Sequence, residues 1–594
     1  MLLVLVNQSY SKCDVREVKS DTVVKERYLS GGFYHYFYNY VNLYEYVVCE
    51  YETLTAGEQL DIGNRSIGNI SYITFINSNV EVVYVGLFNR FTNVSSIYLN
   101  NSNVHVIEPR AFAGMENLTK LMLQGNHLNT ILNWTFADLK ELKSIDLSLN
   151  SLSQIQSYAF ANLMKLEVLS LAYNNIAYID DILFSSLIEL KVLNISHNRL
   201  NTIKDNAFLY LNKLENATFS YNRLRQTPKF NLSHDQLQDV DLSFNELTQF
   251  DFDNISSHNL NLSNNKIDSI HWSSTKNTSN LDLSNNNIMN IVKIGKGLLK
   301  LNLTFNKLTY LESEPFQLSS ELIELDLSHN KIKSFQQDTF DNLFQLRFLY
   351  LEHNQLDVVP ISGFHDLSNL EILSLSYNYL NGVNFGTFRG LQSLMKLFLN
   401  NNNLSIIWES SFHMFKRLEQ LNLDNNRLSF LDAEKLMSNC WALKTISLHN
   451  NAWNCNLLVE MLRIFMSKNV GIFKASSFNV PNVEGIRCTN ENGSLTTASS
   501  INVNTSSNHF FNNLDAYFAN SSFFNYFDNV LSDRDKKEFT SKDCSLQNKK
   551  FFLVVTVIAL LCLIVILLFI GLFCICCKRN SRGYEKKIMN EFEL

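Results

Sequence analysis

LKVLNISHNRL at residues 190–200 and LIELDLSHNKI at residues 322–332 are two copies of one pattern, LxxLxLxxNxL, and that pattern decides the fold. It begins at Ile70, Val94, Leu118, Leu142, Leu166, Leu190, Leu214, Leu237, Ser257, Thr278, Leu298, Leu322, Leu346, Leu370, Leu394, Leu418 and Leu443. These are seventeen starts, most of them 24 residues apart. A unit of this length cannot bury its apolar side alone, so successive copies must stack into a solenoid with one continuous core. Within a copy, LxxLxL alternates with period two, as in a short strand whose leucines point inward and whose intervening residues point outward. Stacked copies therefore give a parallel sheet along one side. The asparagine at the ninth position (Asn126, Asn150, Asn174, Asn198 and onward) has an amide that both donates and accepts, which suits it to backbone groups that the sheet leaves free.

A second spine lies six residues before most starts: Phe88, Phe112, Phe136, Phe160, Phe184 and Phe208, then Phe316, Phe340, Phe364, Phe388 and Phe412. Rings at fixed spacing are expected to stack along the outer side and tie adjacent turns together. Between Leu214 and Leu298 the spacings fall to 23, 20, 21 and 20 residues and this phenylalanine disappears. The outer side should thin there, with a local change of curvature over residues 230–300.

The 594 residues carry a net charge of -7 and no basic block, which disfavours nucleic acid or another polyphosphate as partner. Residues 551–577 contain no charge over 27 positions, longer than the roughly 20 needed for a transmembrane helix. Lys578, Arg579, Arg582, Lys586 and Lys587 follow it, as a cytoplasmic tail requires, although Lys549 and Lys550 precede it. Eighteen Asn-x-Ser/Thr sequons stand before this segment and none after, consistent with an extracellular N-terminal portion of a single-pass type I plasma-membrane protein. Sixteen are taken as glycosylation candidates: Asn64, Asn69, Asn93, Asn117, Asn133, Asn194, Asn216, Asn231, Asn254, Asn261, Asn277, Asn302, Asn403, Asn492, Asn504 and Asn520. Met1–Val6 is apolar but lacks a basic flank and is short for a leader, so residues 1–11 are read as a residual signal peptide with a start expected upstream.

Six cysteines precede the apolar segment, Cys13, Cys49, Cys440, Cys455, Cys488 and Cys544, an even set compatible with three disulfides in an oxidising compartment. Cys13 and Cys49 bracket a segment rich in tyrosine and phenylalanine, read with residues 12–69 as a disulfide-closed cap over the first core layer. The repeats run over 70–453, where Trp453 replaces the repeat leucine, and 454–488 is read as a C-terminal cap. Cys440, Cys455, Cys488 and Cys544 allow three pairings, and Cys544 has the alternative of bonding another chain. Residues 489–550 lose the leucine period and read as a glycosylated stalk; 578–594 are the tail. Cys574, Cys576 and Cys577 sit where palmitoylation occurs, or are plain small residues of the span.

The motif copies and the phenylalanine spine resemble the 24-residue typical class of extracellular leucine-rich repeats found in Toll-like receptors and insect adhesion proteins. The closing stretch NCWALKTISLHNNAWNCNLLVEML, residues 439–462, resembles the cap of the mosquito leucine-rich immune proteins, and the apolar segment resembles that of their transmembrane subclass. The resemblance implies an α/β leucine-rich repeat solenoid, a curved arc with a parallel sheet on its concave face, two caps and one transmembrane helix. It also implies innate immune recognition, with homophilic or heterophilic cell adhesion as the alternative. Two departures stand out: no heptad segment and no intracellular Toll/interleukin-receptor domain are present.

No nucleophile–base constellation, metal-ligand cluster or phosphate loop stands in a recognisable setting, so neither an enzyme, a cofactor nor a metal is expected. Binding is expected from the outward positions, the second, third, fifth, seventh and eighth of each motif. They hold twelve acidic and seven basic residues, a face that repels polyphosphates. Ile323, Phe348, Tyr350, Ile372, Met395 and Phe398 form an apolar group on four neighbouring strands. It is read as an anchor for extracellular or membrane protein partners, possible dimerisation included, against the alternative that such side chains are half-buried supports. The ring series Tyr173, His197, Tyr221, Phe244, Phe305, His329, His353 and Tyr377 at the eighth position is read as packing rather than as a ligand ladder or pH sensor. Glycans on Asn194, Asn261 and Asn302, at the central fifth position, would block the middle of the face and leave the C-terminal half or an edge for binding. The terminal Phe592–Glu593–Leu594 is a weak match to a PDZ ligand.

Overall fold

The computed structural model describes residues 11–17, 45–50, 52–54, 60–61, 70–230, 237–252, 255, 257–271, 278–291, 293–313, 315–473 and 482–489. The expected stalk, membrane helix and tail lie outside these residues, as do Cys544 and Asn64, Asn69, Asn231, Asn254, Asn277, Asn492, Asn504 and Asn520. Among the described residues no helix is long and apolar enough to cross a membrane.

Each motif supplies one strand. The seventeen repeat strands, from Ile70–Ile76 to Thr445–Ser447, pair in parallel and in register, with sixteen turns between first and last. The alternation read from LxxLxL holds: Leu193, Ile195, Leu349, Leu351, Leu397 and Leu399 have no exposed surface, while Val192, Asn194, Phe348, Tyr350 and Phe398 between them are half-buried on the other face. Asp14–Glu17 pairs antiparallel with Glu45–Glu50, which pairs parallel with Ile70–Ile76; at the far end Gly471–Ile472 follows Thr445–Ser447. Both terminal strands have one neighbour each in these pairings, so the sheet is an open ribbon.

The ninth-position asparagine does the work expected of it. Asn174 is buried; its Nδ2 donates to the Leu147 and Leu171 carbonyls at 3.0 and 3.1 Å, and its Oδ1 accepts from the Leu152 N–H at 2.9 Å. Asn198, Asn222, Asn330 and Asn378 repeat the arrangement. Each links its own turn to the preceding one and satisfies buried peptide groups that would otherwise be costly.

The phenylalanine spine is likewise buried and stacked, with ring centroids 6.1 Å apart for Phe112–Phe136, 6.0 Å for Phe136–Phe160 and 6.2 Å for Phe184–Phe208. The spine continues one residue out of place into the first two shortened turns, and no buried phenylalanine follows among the described residues until Phe316. Phe230 stacks on Phe208 at 4.6 Å, and Phe252 is buried in the next turn, each displaced by one residue from its expected position. A shorter repeat moves the aromatic along the chain to keep it in the core. Turn spacing differs across the solenoid: about 6 Å along the spine, about 4.8 Å between sheet strands, and 4.0–4.2 Å along the eighth-position rings. Unequal spacing on opposite sides bends the repeats toward the sheet.

Two helices lie at the C-terminal end, the first between the last two motifs and the second in the cap. Helix α1, Ala433–Asn439, is capped by Asp432, which accepts from the Lys435 N–H. Helix α2, Cys455–Ser467, is capped by Asn454 and buries Leu458, Met461, Leu462 and Phe465. Trp453, 1% exposed, donates its indole N–H to the Leu448 carbonyl at 2.7 Å and seals the last core layer. Disulfides join Cys13 to Cys49 and Cys455 to Cys488. Cys440, an expected disulfide candidate, has no disulfide partner among the described residues and is fully buried at the end of α1, in the core with Leu436 and Leu443, where burial pushes its thiol up to about 12.

Two outcomes follow. Phe136→Ala should cost about 3–5 kcal/mol and lower the urea midpoint, whereas Phe344→Ala, at a ring 46% exposed, should change stability by less than about 0.5 kcal/mol. Native alkylation followed by mass spectrometry should leave Cys440 unlabelled until the chain is denatured.

Candidate functional site

The outward side chains of the sheet run in rows across adjacent strands, and most of them are committed to one another. In the second-position row Glu167 lies between Lys143 (3.7 Å) and Lys191 (2.8 Å), Arg347 pairs with Glu371 at 2.8 Å, and Lys444 with Glu419 at 2.7 Å. In the third-position row Asn216 donates to Asp239, Asn259 donates to Asp239, Asn280 donates to Asn259, and Lys300 meets Glu324 at 2.9 Å. The fifth-position acids Asp146, Asp241, Asp282 and Asp326 each accept the peptide N–H of the residue two further on. Burial raises the pKa of Asp282, with Asp241 adding to it. The acids that sequence counting treated as a repelling surface are therefore largely tied into turns and ladders.

Asn194, Asn261 and Asn302 use their side-chain oxygens in the same turn, accepting from Ser196, Ser263 and Thr304, and all three are half-buried. Asn216, Asn133 and Asn403 are also half-buried, while Asn93 and Asn117 are exposed.

The expected apolar group falls on one stretch of sheet but is less continuous than its spacing suggested. Phe348 pairs in register with Glu324 and Ile372, and Tyr350 with Asp326 and Ser374. Phe398 is separated from Tyr350 by Ser374, and Ile323 from Met395 by the Arg347–Glu371 ion pair. All six are half-buried. Phe348, Ile372 and Tyr350 form its centre, and the Arg347 guanidinium lies 5.4 Å from the Phe348 ring.

The eighth position has a positive φ in every motif, from Asn77 (49°) to Asn450 (50°), and many of these residues are asparagine, which tolerates it. Where rings take its place they stack: Tyr173, His197, Tyr221 and Phe244 in one run, Phe305, His329, His353 and Tyr377 in another, with interplanar angles of 8–12°. Stacking compensates for an unfavourable backbone, which is the packing role read from the sequence. Burial lowers the pKa of His197, His329 and His353.

Two clusters resemble chemistry without having its geometry. Ser447 Oγ donates to Asp424, and His449 Nδ1 lies 3.4 Å from Ser447 Oγ and 3.3 Å from Asp424 Oδ1. Serine and aspartate thus meet the same ring nitrogen, whereas a hydrolytic triad needs them on opposite ones. Asp341, His365 and Asp366 lie close together, yet His365 Nδ1 is 3.0 Å from the Ser362 carbonyl and the carboxylates approach different nitrogens, at 3.6 and 3.3 Å. They bracket the ring instead of sharing one ligand position.

Sequence reasoning overlooked a more exposed surface. Val358, Ile361, Phe385, Ile406, Trp408 and Phe430, each 47–64% exposed, come from four consecutive turns outside the sheet. Phe430 also lines a cavity of about 250 Å³ between Ser429–Glu434 and α2, with Leu457, Met461 and Ile464. The signal was there at the thirteenth position (Val358, Ile406, Phe430), beyond the motif.

With this geometry in view, comparison with known families is direct. Residues 61–191 match a BspA type leucine rich repeat region in six copies, and residues 164–224, 296–356, 353–404 and 368–428 match a leucine rich repeat. The array is a leucine-rich repeat domain. The curated proteins include no match. Among solved structures, the leucine-rich repeat chain resembles the Drosophila Toll–Spatzle complex in its glycosylated form: 17% identity, 76% of this chain, 70% of that chain and a TM-score of 0.57. It is also similar to the leucine-rich repeat domain of mosquito APL1, with 22% identity, 75% and 98% coverage and a TM-score of 0.43. The LRIM1/APL1C complex gives 22% identity, 75% and 69% coverage and a TM-score of 0.44.

Because the folded-state pKa of His329 and His353 lies below the unfolded value of about 6.5, their contribution to stability is complete above that value and is lost as pH falls through it. The thermal midpoint should therefore drop between pH 7 and pH 5. His329→Asn with His353→Asn, which suits the positive φ, should flatten that drop in a calorimetric pH series.

Proposed function

We infer that the chain is a cell-surface protein that binds protein partners through the sheet face of its C-terminal half, as a receptor, co-receptor or scaffold in innate immune recognition. The observation that carries the binding site is the break in the face at Phe348, Tyr350 and Ile372. N-terminal to it the third-position side chains from Asn216 to Glu324 are polar and most pair across the strands, and the fifth-position ones are polar and mostly bonded within their own turns. Here apolar and aromatic groups replace them without being buried completely. Half-buried rings in a rigid, hydrogen-bonded frame lose little further entropy on binding, which favours them as anchors.

Toll, whose structure is that of a complex with Spatzle, shares the fold and supports a protein as ligand class. Residues 551–577 would anchor the chain as a single-pass type I plasma-membrane protein.

Phe348→Glu combined with Phe398→Glu tests the assignment. The expected result is normal surface delivery and loss of capture of a partner that the wild-type chain retains from its native fluid. Retained capture would overturn the assignment, and failed delivery would show that the two rings are core.

A further inference from the structure

The twelve outward acids of the sheet are almost all answered within the face. Glu167, Glu324, Glu371 and Glu419 have a base on a neighbouring turn. Asp146, Asp241, Asp282 and Asp326 hold a peptide N–H; Asp239 holds two amides; Asp424 holds Ser447 and His449. Glu215 contributes to the field at Lys191. Glu352 is different. Its Oε2 is buried without a hydrogen-bond partner, and among the described residues no lysine, arginine or histidine pairs with it.

Glu352 also stands in a particular place. It follows Phe348 and Tyr350 at alternate positions of one turn, so all three face the same side of the sheet. Asp326 lies opposite Tyr350 on the preceding strand. Burial raises the Tyr350 hydroxyl pKa, and the charges of Glu324, Asp326 and Glu352 raise it further. Burial pushes the Glu352 carboxyl up to about 7, opposed by the Ser374 hydroxyl and reinforced by Asp326. A carboxyl without a counter-charge in such a setting destabilises the fold, and its natural complement is a cation.

We propose that Glu352 and the Tyr350 hydroxyl, in the field of the buried Asp326, receive a basic side chain, an arginine of a protein partner, whose apolar stem lies against Phe348. The inference rests on the protein-binding reading of this face and names the chemistry at its centre. A guanidinium has several donors in one plane and an apolar face that packs on rings, matching acids spread over two strands beside aromatic groups. A single metal ion fits less well: among the described residues the carboxylate and histidine groups close enough together to be weighed for an ion are Asp341, His365 and Asp366, and Glu352 is not among them. At rest the Glu352 carboxyl is tucked in, with Oε2 inaccessible; the incoming cation draws it outward and supplies the missing donors.

The test uses the full-length chain and the fluorescent cation p-aminobenzamidine, with the uncharged p-aminobenzamide as control. The expected result is a saturable fluorescence rise for wild type and for Glu371→Gln, whose carboxylate already has a base, competed by arginine amide. Glu352→Gln should weaken binding at least tenfold while leaving the thermal midpoint unchanged or higher. Equal binding to Glu352→Gln, equal binding of the amide, or no saturable binding to wild type would overturn the proposal. Its failure is distinct from that of the partner reading. A partner lost on the Phe348→Glu/Phe398→Glu chain but retained on Glu352→Gln would leave the face as an interface and remove the arginine from it.

Discussion

One asparagine carboxamide in each turn from Asn126 onward ties the solenoid together. At Asn174 a single side chain reaches the carbonyls of Leu147 and Leu171 and the N–H of Leu152. The chain must turn sharply after each strand, and that turn leaves peptide groups buried with no strand to pair them. A side chain with two donors and an acceptor, fixed in the core, is the economical solution, and it joins neighbouring turns as it does so. The left-handed eighth residue belongs to the same corner: the backbone reverses there so that the asparagine enters the core.

Once every turn closes in the same way, the rest of the geometry is constrained. Leucines stack at strand spacing, phenylalanines stack at a wider spacing outside them, and the rings at the corner stack more closely than either. The difference in spacing bends the repeats toward the sheet. The outward side chains are thereby held in rows on a rigid lattice, where a residue's partner is set by its position in the motif.

The motif made the core legible because its inward positions repeat, and repetition is what periodicity detects. Phe230 and Phe252 escaped that reading since a shortened turn shifts the aromatic by one residue while keeping it buried. Cys440 escaped it for a different reason: an even number of cysteines says nothing about which one faces the core. The candidate site was legible in part. Row positions placed Phe348, Tyr350 and Ile372 together, but the ion pair of Arg347 with Glu371, which interrupts Ile323 and Met395, is a contact between turns that no single copy of the motif contains. The unpartnered Oε2 of Glu352 is of the same kind, a product of contacts between turns.

The central claim is that the stretch of sheet around Phe348 is where a protein partner sits. Photo-cross-linking from a benzophenone side chain placed at Ile372 on the intact chain, compared with one at Val168 in the equivalent row of an earlier turn, tests it most directly. The account predicts a discrete adduct from Ile372, mapped to an arginine-containing segment of the partner, and none from Val168. Adducts of equal yield from both positions, or from the exposed Trp408 outside the sheet and not from Ile372, would contradict it.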